Sequence, residues 1–461
     1  MSKAKPGNLA VRRRGGRRAM VASTLALLLV LAGSGIATGA FSGGSYQPAE
    51  PAPALVTASP QVEPVPADSP LPSSAALAAA LAPVLANPDL GDFTGQVSDP
   101  ETGEVLWQQG ASTPRTPASV TKALTSSAAL LTMPLDHRLT TTVVRGSKPG
   151  EVVLVGGGDP TLTATPIGQE GYFEGAAHIA DLAAQIRDAG VTATSITVDV
   201  SRYSGPEMAQ GWFEEDIGGG NIAPMRPVML DGGRLDPTRD LSPRSATPAL
   251  EAGRALAASL DVDSAAVALG TAPSGAEQLA AVQSQPLETL IRQAMVDSDN
   301  VLAEALGREV AVAAGKPASF SGGGAAVLGA LRDAGIDTAG ATLHDLSGMS
   351  VDNLLPARLL DDVFVAAAGD GQPKLRPLLD SLPIAGGTGT LVDRYGDGAT
   401  GAGWVRAKTG TLSGVSTLAG IVTDVDNRVL AFALMSGGTP PELARPALDE
   451  VAEVLRGCGC R

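Results

Sequence analysis

The sequence predicts an α/β (α+β) fold in which an antiparallel sheet is flanked by helices and the chain is interrupted by an inserted accessory domain. Three observations carry this. Across residues 404–437 three strand-like runs, WVRAKTGTL, STLAGIVTD and RVLAFALMSG, follow one another through short turns, the pattern of an antiparallel sheet. In QPLETLIRQAMV the residues Leu287, Leu290, Ile291, Ala294 and Met295 recur at helical spacing, the stripe of a helix packed on a core. Across residues 137–246 the texture changes to a hairpin, one helix, one strand and a long Gly/Pro-rich stretch without periodicity, which marks the insertion.

At 461 residues and 44% hydrophobic content the chain can bury cores for two or three domains. Its net charge is −15, yet seven basic residues (Lys3, Lys5, Arg12, Arg13, Arg14, Arg17 and Arg18) precede residue 41, where no acidic residue occurs. The rest of the chain therefore holds 26 basic residues against 48 acidic ones, a net −22. So acidic a body has no electrostatic footprint for nucleic acid, and that partner class is set aside.

The basic cluster leads into residues 20–40, apolar or small throughout and free of charge, the form of an export signal. About 21 residues at about 1.5 Å each also suffice to cross a bilayer, so residues 1–40 read as a signal peptide or a signal anchor. Anchoring to a membrane through residues 20–40 is thus open, and the body is expected outside the cytoplasm, in the cell envelope. Residues 41–74, with prolines at 48, 51, 53, 60, 64, 66, 70 and 72, read as an extended linker.

The body opens with an Ala/Leu-rich helix (SAALAAALAPVLANP) and two short strands, FTGQVS and EVLWQQ, around the turn at 99–103. PASVTKALTSSAALL follows, placing Ser119 three residues before Lys122 at the start of a helix, so that a hydroxyl and an amine share one face. Alone, that pair is a weak signal and reads as an ordinary helix N-terminus. In the insertion, TTTVVRGSKPGEVVLV reads as a hairpin, AHIADLAAQIRDAG as a helix capped by Gly190, and SITVDV as a buried strand. The run Gly156-Gly157-Gly158-Asp159 is read as a structural turn, since no Gly-Lys-Ser/Thr follows it.

A helix near 248–260 and a strand near 265–270 precede the amphipathic helix at 287–296. Ser298-Asp299-Asn300 then breaks the pattern, either as a plain capping turn or as a small polar group facing a cleft. Lys408-Thr409-Gly410-Thr411 continues a strand expected at the sheet edge. Gly410 there would let an extended peptide lie close while Lys408 offers charge and the threonines offer hydroxyls. A closing helix runs from about 441 to 456. Cys458 and Cys460 are the only cysteines, and GCGCR reads as a disordered tail or as a site of intermolecular pairing.

S-x-x-K, S-D-N and K-T-G in this order form the signature set of penicillin-binding proteins and serine β-lactamases. With GGGDPTLT, SDNVLAEAL, SGMSVDNLLP, LPIAGGTGTL and AKTGTLSGVSTLAG, the chain from about 75 to 456 resembles the low-molecular-mass class C penicillin-binding proteins, the D-alanyl-D-alanine carboxypeptidase/endopeptidase family. The resemblance implies a penicillin-binding/serine β-lactamase-like transpeptidase domain over 75–136 and 247–461, with the accessory domain at 137–246. It implies that Ser119 is the acylated nucleophile and that a neutral Lys122 takes its proton. Ser298 would relay a proton to the leaving amine, and Asn300 would hold the substrate amide. Lys408, Thr409, Gly410 and Thr411 would receive the terminal carboxylate, and the N–H groups of Ser119 and Thr411 would form an oxyanion hole. The implied partners are peptidoglycan stem peptides and, as acylating inhibitors, β-lactam antibiotics; no metal or cofactor is implied.

Three alternatives fit less well. A serine β-lactamase commonly carries a deacylating loop glutamate between S-D-N and K-T-G, but the only glutamates there, Glu304 and Glu309, fall on the helix just after Asn300. A Ser-His-Asp esterase has only His137, His178 and His344 to draw on and no G-x-S-x-G. A wall-binding protein with a weak or vestigial site would not require the complete set of catalytic residue types.

Overall fold

The computed structural model describes residues 69–396 and 398–461, so the expected signal at 1–40 and most of the linker at 41–74 lie outside the described residues. No described helix is long and apolar enough to cross a membrane. The body begins with α1 (Ser74–Leu85), started by Ser73, whose hydroxyl accepts the Ala76 N–H. The expected strand pair follows as β1 (Thr94–Ser98) and β2 (Val105–Gln109), then the short β3 (Pro114–Arg115) and α2 (Thr121–Thr132).

The inserted part comprises β4 (Thr140–Arg145), β5 (Glu151–Val155), α3 (Ile179–Asp188), β6 (Ser195–Asp199), the one-turn α4 (Glu215–Gly218), α5 (Pro248–Ser259), β7 (Val267–Gly270) and β8 (Gln278–Gln283). The chain returns through α6 (Leu287–Val296), α7 (Asn300–Ala313), α8 (Phe320–Asp333), β9 (Leu355–Pro356), α9 (Ala357–Ala368) and α10 (Pro377–Asp380). It closes with β10 (Val405–Leu412), β11 (Val415–Thr423), β12 (Val429–Gly437) and α11 (Pro441–Gly457).

The first sheet has the order β10-β11-β12-β1-β2 and is antiparallel at every pairing. Alternation along β12 separates two cores. Leu430, Phe432 and Leu434 join Leu77 and Leu81 of α1 and Leu448, Val451 and Leu455 of α11 on one face. Ala431, Ala433 and Met435 face the helical layer that holds Leu124 of α2, Leu302 of α7 and Phe364 of α9. Alanine on that second face leaves room for the helices to approach the sheet. A buried pair, Arg428 with Asp99 at 2.6–2.7 Å, ties the start of β12 to the turn after β1.

The second sheet has the order β7-β6-β5-β4-β8. Its β5–β6 and β6–β7 pairs are parallel, and each needs a crossover, supplied by α3 and by α5. Leu182, Ile186, Ala252 and Leu256 of those helices cover Val152, Leu154, Ile196 and Val198. This corrects the expected boundary at 246: α5, β7 and β8 belong to the inserted sheet, so it runs to Gln283. The period of α5 and β7 was legible, but which sheet they join is set by pairing. The loop-rich stretch after β6 is also less separate than expected, because Trp212, Ile222 and Met225 share a core with Val301 and Ala305 of α7 and Phe320 of α8.

The disordered-tail reading of the C-terminus is overturned. Cys458 is buried in the α1–α11 core, the Cys460 carbonyl accepts the Ser73 N–H at 2.7 Å, and the two cysteines are bridged to each other. The partner that orders this tail is the cap of α1, which is remote in sequence.

Candidate active site

Ser119 sits in a tight turn, Ala118–Val120, that runs directly into α2. Ala118 takes a left-handed φ of +50°, a conformation that costs a non-glycine residue about 1–2 kcal/mol. The neighbours hold it there. The Ala118 carbonyl accepts the Thr121 hydroxyl at 2.9 Å, and Thr417 of β11 donates to the Pro117 carbonyl at 2.9 Å. A Cβ on Gly348 would collide with the Ala118 carbonyl, so glycine is required beneath the turn.

Gly410 corrects one expectation. A Cβ at Gly410 would lie 2.7 Å from the Pro117 carbonyl and 3.0 Å from the Ala118 Cβ. The backbone that its missing side chain admits is therefore the chain's own turn at Ser119. Sequence patterning identified the need for close approach but not the partner.

One helical turn after Ser119, Lys122 is wholly buried, with Nζ 2.9 Å from Ser119 Oγ, 2.7 Å from Asn300 Oδ1 and 2.8 Å from the Ser347 carbonyl. Burial pushes its pKa down to about 7, against the opposing pull of Asp345 and Asp299. A neutral amine has two N–H bonds and one lone pair. Asn300 Oδ1 and the Ser347 carbonyl can take the two N–H groups, which leaves the lone pair for the Ser119 hydroxyl proton.

Lys408, on β10 at the sheet edge as expected, is also wholly buried, with Nζ 2.9 Å from Ser298 Oγ and 3.0 Å from the Thr409 carbonyl. Burial and the charge of Lys122 push it well below the usual lysine range, opposed by Asp297. Ser298 has a left-handed φ of +59°, and Asp299 caps α7 by accepting the Leu302 N–H at 2.7 Å. Asn300 donates through Nδ2 to the Asn221 carbonyl at 2.9 Å, which turns its Oδ1 toward Lys122. The Thr409 hydroxyl meets that of Thr390 at 2.7 Å, and Thr411 Oγ1 accepts from Arg445 Nε at 3.2 Å.

Ser119, Ser298, Asn300, Thr409 and Thr411 line one cleft of about 1160 Å³, with the two lysines buried against its serines. All eight residues singled out in the sequence thus belong to one neighbourhood. Other groups there were missed. Asp345 is buried and accepts from Trp212 Nε1, the Ser347 hydroxyl, Asn353 Nδ2 and the N–H groups of Gly348, Met349 and Ser350, so it organises the loop whose Ser347 carbonyl reaches Lys122. The stretch SGMSVDNLLP marked this loop, yet a role for Asp345 needs the fold. Asn221 and Arg445 left no sequence signal. Among the described residues no cluster of His, Cys, Asp and Glu is arranged to hold a metal ion.

Comparison with known proteins agrees with this geometry. The model of the D-Ala-D-Ala carboxypeptidase 3 (S13) family matches residues 77–241 and 236–457. The chain is 54% identical to carboxypeptidase DacB of Mycolicibacterium smegmatis, over 97% of this chain and 98% of that protein. It is 52% identical to a carboxypeptidase of Mycobacterium tuberculosis over 92% of each chain. In fold it is similar to penicillin binding protein 4 (dacB) of Haemophilus influenzae, with a TM-score of 0.68 at 22% identity, covering 84% of this chain and 98% of that one. The chain belongs to the D-Ala-D-Ala carboxypeptidase 3 (S13) family.

Proposed function

We propose that this carboxypeptidase works through a Ser119 acyl-enzyme, acts on peptidoglycan stem peptides outside the cytoplasm, and is acylated by β-lactams. The observation that carries the reading is the contact of Ser119 Oγ with a buried lysine whose pKa lies at about 7. Ser119 Oγ attacks the carbonyl of the D-Ala–D-Ala bond as its proton passes to Lys122 Nζ. The C–N bond then breaks, and the proton that Lys122 took from Ser119 passes to the departing amine through Ser298, held against Lys408, which leaves Lys122 neutral for the next step. Water hydrolyses the resulting ester and restores the serine.

The N–H groups of Ser119 and Thr411 serve as oxyanion donors, where loss of one donor costs about 3–4 kcal/mol in comparable sites. Lys408, Thr409 and Thr411 receive the terminal carboxylate, with Gly410 keeping the strand against the nucleophile turn. Beyond the Asn221 contact, Asn300 Nδ2 meets only the weak acceptor Met349 Sδ at 3.8 Å, and it offers that second hydrogen to the substrate. Anchoring through residues 20–40 is proposed from their composition alone. The cleft volume of about 1160 Å³ leaves room for cross-linked peptides as further substrates, an endopeptidase action at the same serine.

The test is acylation of the exported body by a labelled penicillin, together with D-alanine release from a pentapeptide stem. Ser119→Ala should lose both. Equal labelling of parent and variant would remove Ser119 from the mechanism, and release of cross-linked muropeptides checks the endopeptidase action.

A further inference from the structure

The residue between Ser298 and Asn300 lines the same cleft as Ser119 and turns its carboxylate to arginines of the insertion. Asp299 is buried, and its Oδ1 is spent on the α7 cap. Its Oδ2 lies 2.9 Å from Arg234 Nη2 and 3.6 Å from Arg244 Nη2. Both arginines are buried and belong to the loop-rich stretch between β6 and α5. Each is pinned by its own surroundings. Arg234 stacks 3.2 Å from the centre of the Tyr172 ring and donates to the carbonyls of Asp231 and Asp240. Arg244 donates to the carbonyls of Gly220 and Gly232 at 2.9 and 2.6 Å.

A pair of guanidinium groups fixed at that many points is an anchor, and the anchored group is the middle of the S-D-N turn. The turn needs one. Ser298 holds a left-handed backbone that persists only where its surroundings over-determine it, and the same short segment sets both the Ser298–Lys408 and the Asn300–Lys122 contacts. Nothing in the expected chemistry uses these arginines, and they do not touch Ser119.

We propose that Arg234 and Arg244 are positioning residues for catalysis: by clamping Asp299 they hold Ser298 and Asn300 against Lys408 and Lys122. The insertion is then part of the active site's support. This rests on the acyl-enzyme reading above. Thr409 and Thr411 receive the terminal carboxylate from outside the clamped segment, whereas Asn300 within it also meets the substrate, so loss of the clamp should lower kcat most and raise KM by a smaller factor.

Asp299→Asn keeps an oxygen for the Leu302 N–H and removes the charge that the arginines grip; Arg234→Met removes one arm. Each is expected to lower kcat for a D-Ala–D-Ala peptide, and the rate of acylation by a labelled penicillin, by about tenfold to a hundredfold, the scale of a misplaced proton-transfer group. KM should stay within about threefold. Arg428→Met, which breaks the Asp99 pair at the sheet, is the control: it should lower Tm and leave kcat unchanged well below Tm. Because Asp299 also holds the Lys122 pKa up, Asp299→Asn is compared with the parent on the plateau above pH 7, where Lys122 is neutral in both, and if Arg234→Met does not fold that comparison decides alone.

A folded Asp299→Asn or Arg234→Met protein with kcat and acylation within about twofold of the parent overturns the proposal, as does a loss confined to KM. Should the parent itself release no D-alanine, the carboxypeptidase reading fails, and the penicillin acylation rates of parent and variants still decide the positioning role.

Discussion

Lys122 Nζ lies 2.9 Å from Ser119 Oγ, inside a pocket that withholds water from the lysine and gives it two other acceptors, Asn300 Oδ1 and the Ser347 carbonyl. A lysine so placed can serve as a base, the role proposed for it, because burial makes its charged form costly. Arginine at this position stays protonated and cannot accept the serine proton. Lys122→Arg should therefore slow acylation by about 10³-fold, within the range that loss of a general base commonly produces. Labelled-penicillin incorporation measures it, and an arginine variant acylated near the parental rate would show that another group takes the proton.

The pH dependence follows from the same burial. In the proposed mechanism the active form of Lys122 is neutral, and its pKa is pushed down to about 7. The acylation rate should rise about tenfold per pH unit below that point and level off above it. A rate that is flat from pH 5 to pH 8 would contradict a lysine base. Lys408 is also pushed down, and a substrate carboxylate beside it would favour its protonated form. Loss of the Lys408 proton should thus come at higher pH with a carboxylate-ended peptide bound than with its ester.

Gly410→Ala tests the packing of the nucleophile turn. The added methyl meets the Pro117 carbonyl, the Thr417 hydroxyl and the Ala118 Cβ, all held by other contacts. Overpacking of this kind costs about 1–3 kcal/mol. Urea unfolding should register that loss together with slower acylation, whereas full stability and parental acylation would mean that the turn can yield.

Asp345→Ala removes the carboxylate around which the 345–353 loop is built and leaves Trp212 Nε1 and several buried N–H groups without acceptors. A loss of about 3 kcal/mol is expected from denaturant midpoints. Asp345 also opposes the downward shift of Lys122. Without it Lys122 should fall further, so the rising limb of the acylation profile should move to lower pH. A rising limb that moved upward instead would exclude this electrostatic link.

Much of this was legible because it is local. The period of 287–295, the strand-like runs of β10 to β12 with their short turns and the helix after Ser119 each depend on residues a few positions apart, and the elements formed where those patterns fell. The three short motifs carried the family because the chemistry requires a hydroxyl, two lysines and a polar turn in one order. Pairing and long-range contact were not legible in the same way. Only the strand order shows that α5, β7 and β8 complete the inserted sheet, and only packing shows that Gly410 makes room for Pro117. Cys460 is ordered by Ser73 from the other end of the body.

The sequence by itself determined which residue types stand ready for acyl transfer, since an S-x-x-K pair at a helix start and a K-T-G strand specify their own local geometry. Tertiary structure alone decided their electrical state and aim. Burial of Lys122 and Lys408 arises from side chains drawn from the whole chain, and Asp299 is gripped by arginines that no spacing rule connects to it. Desolvation and ion pairing act through space, so their effects on a residue cannot be read from its neighbours in sequence.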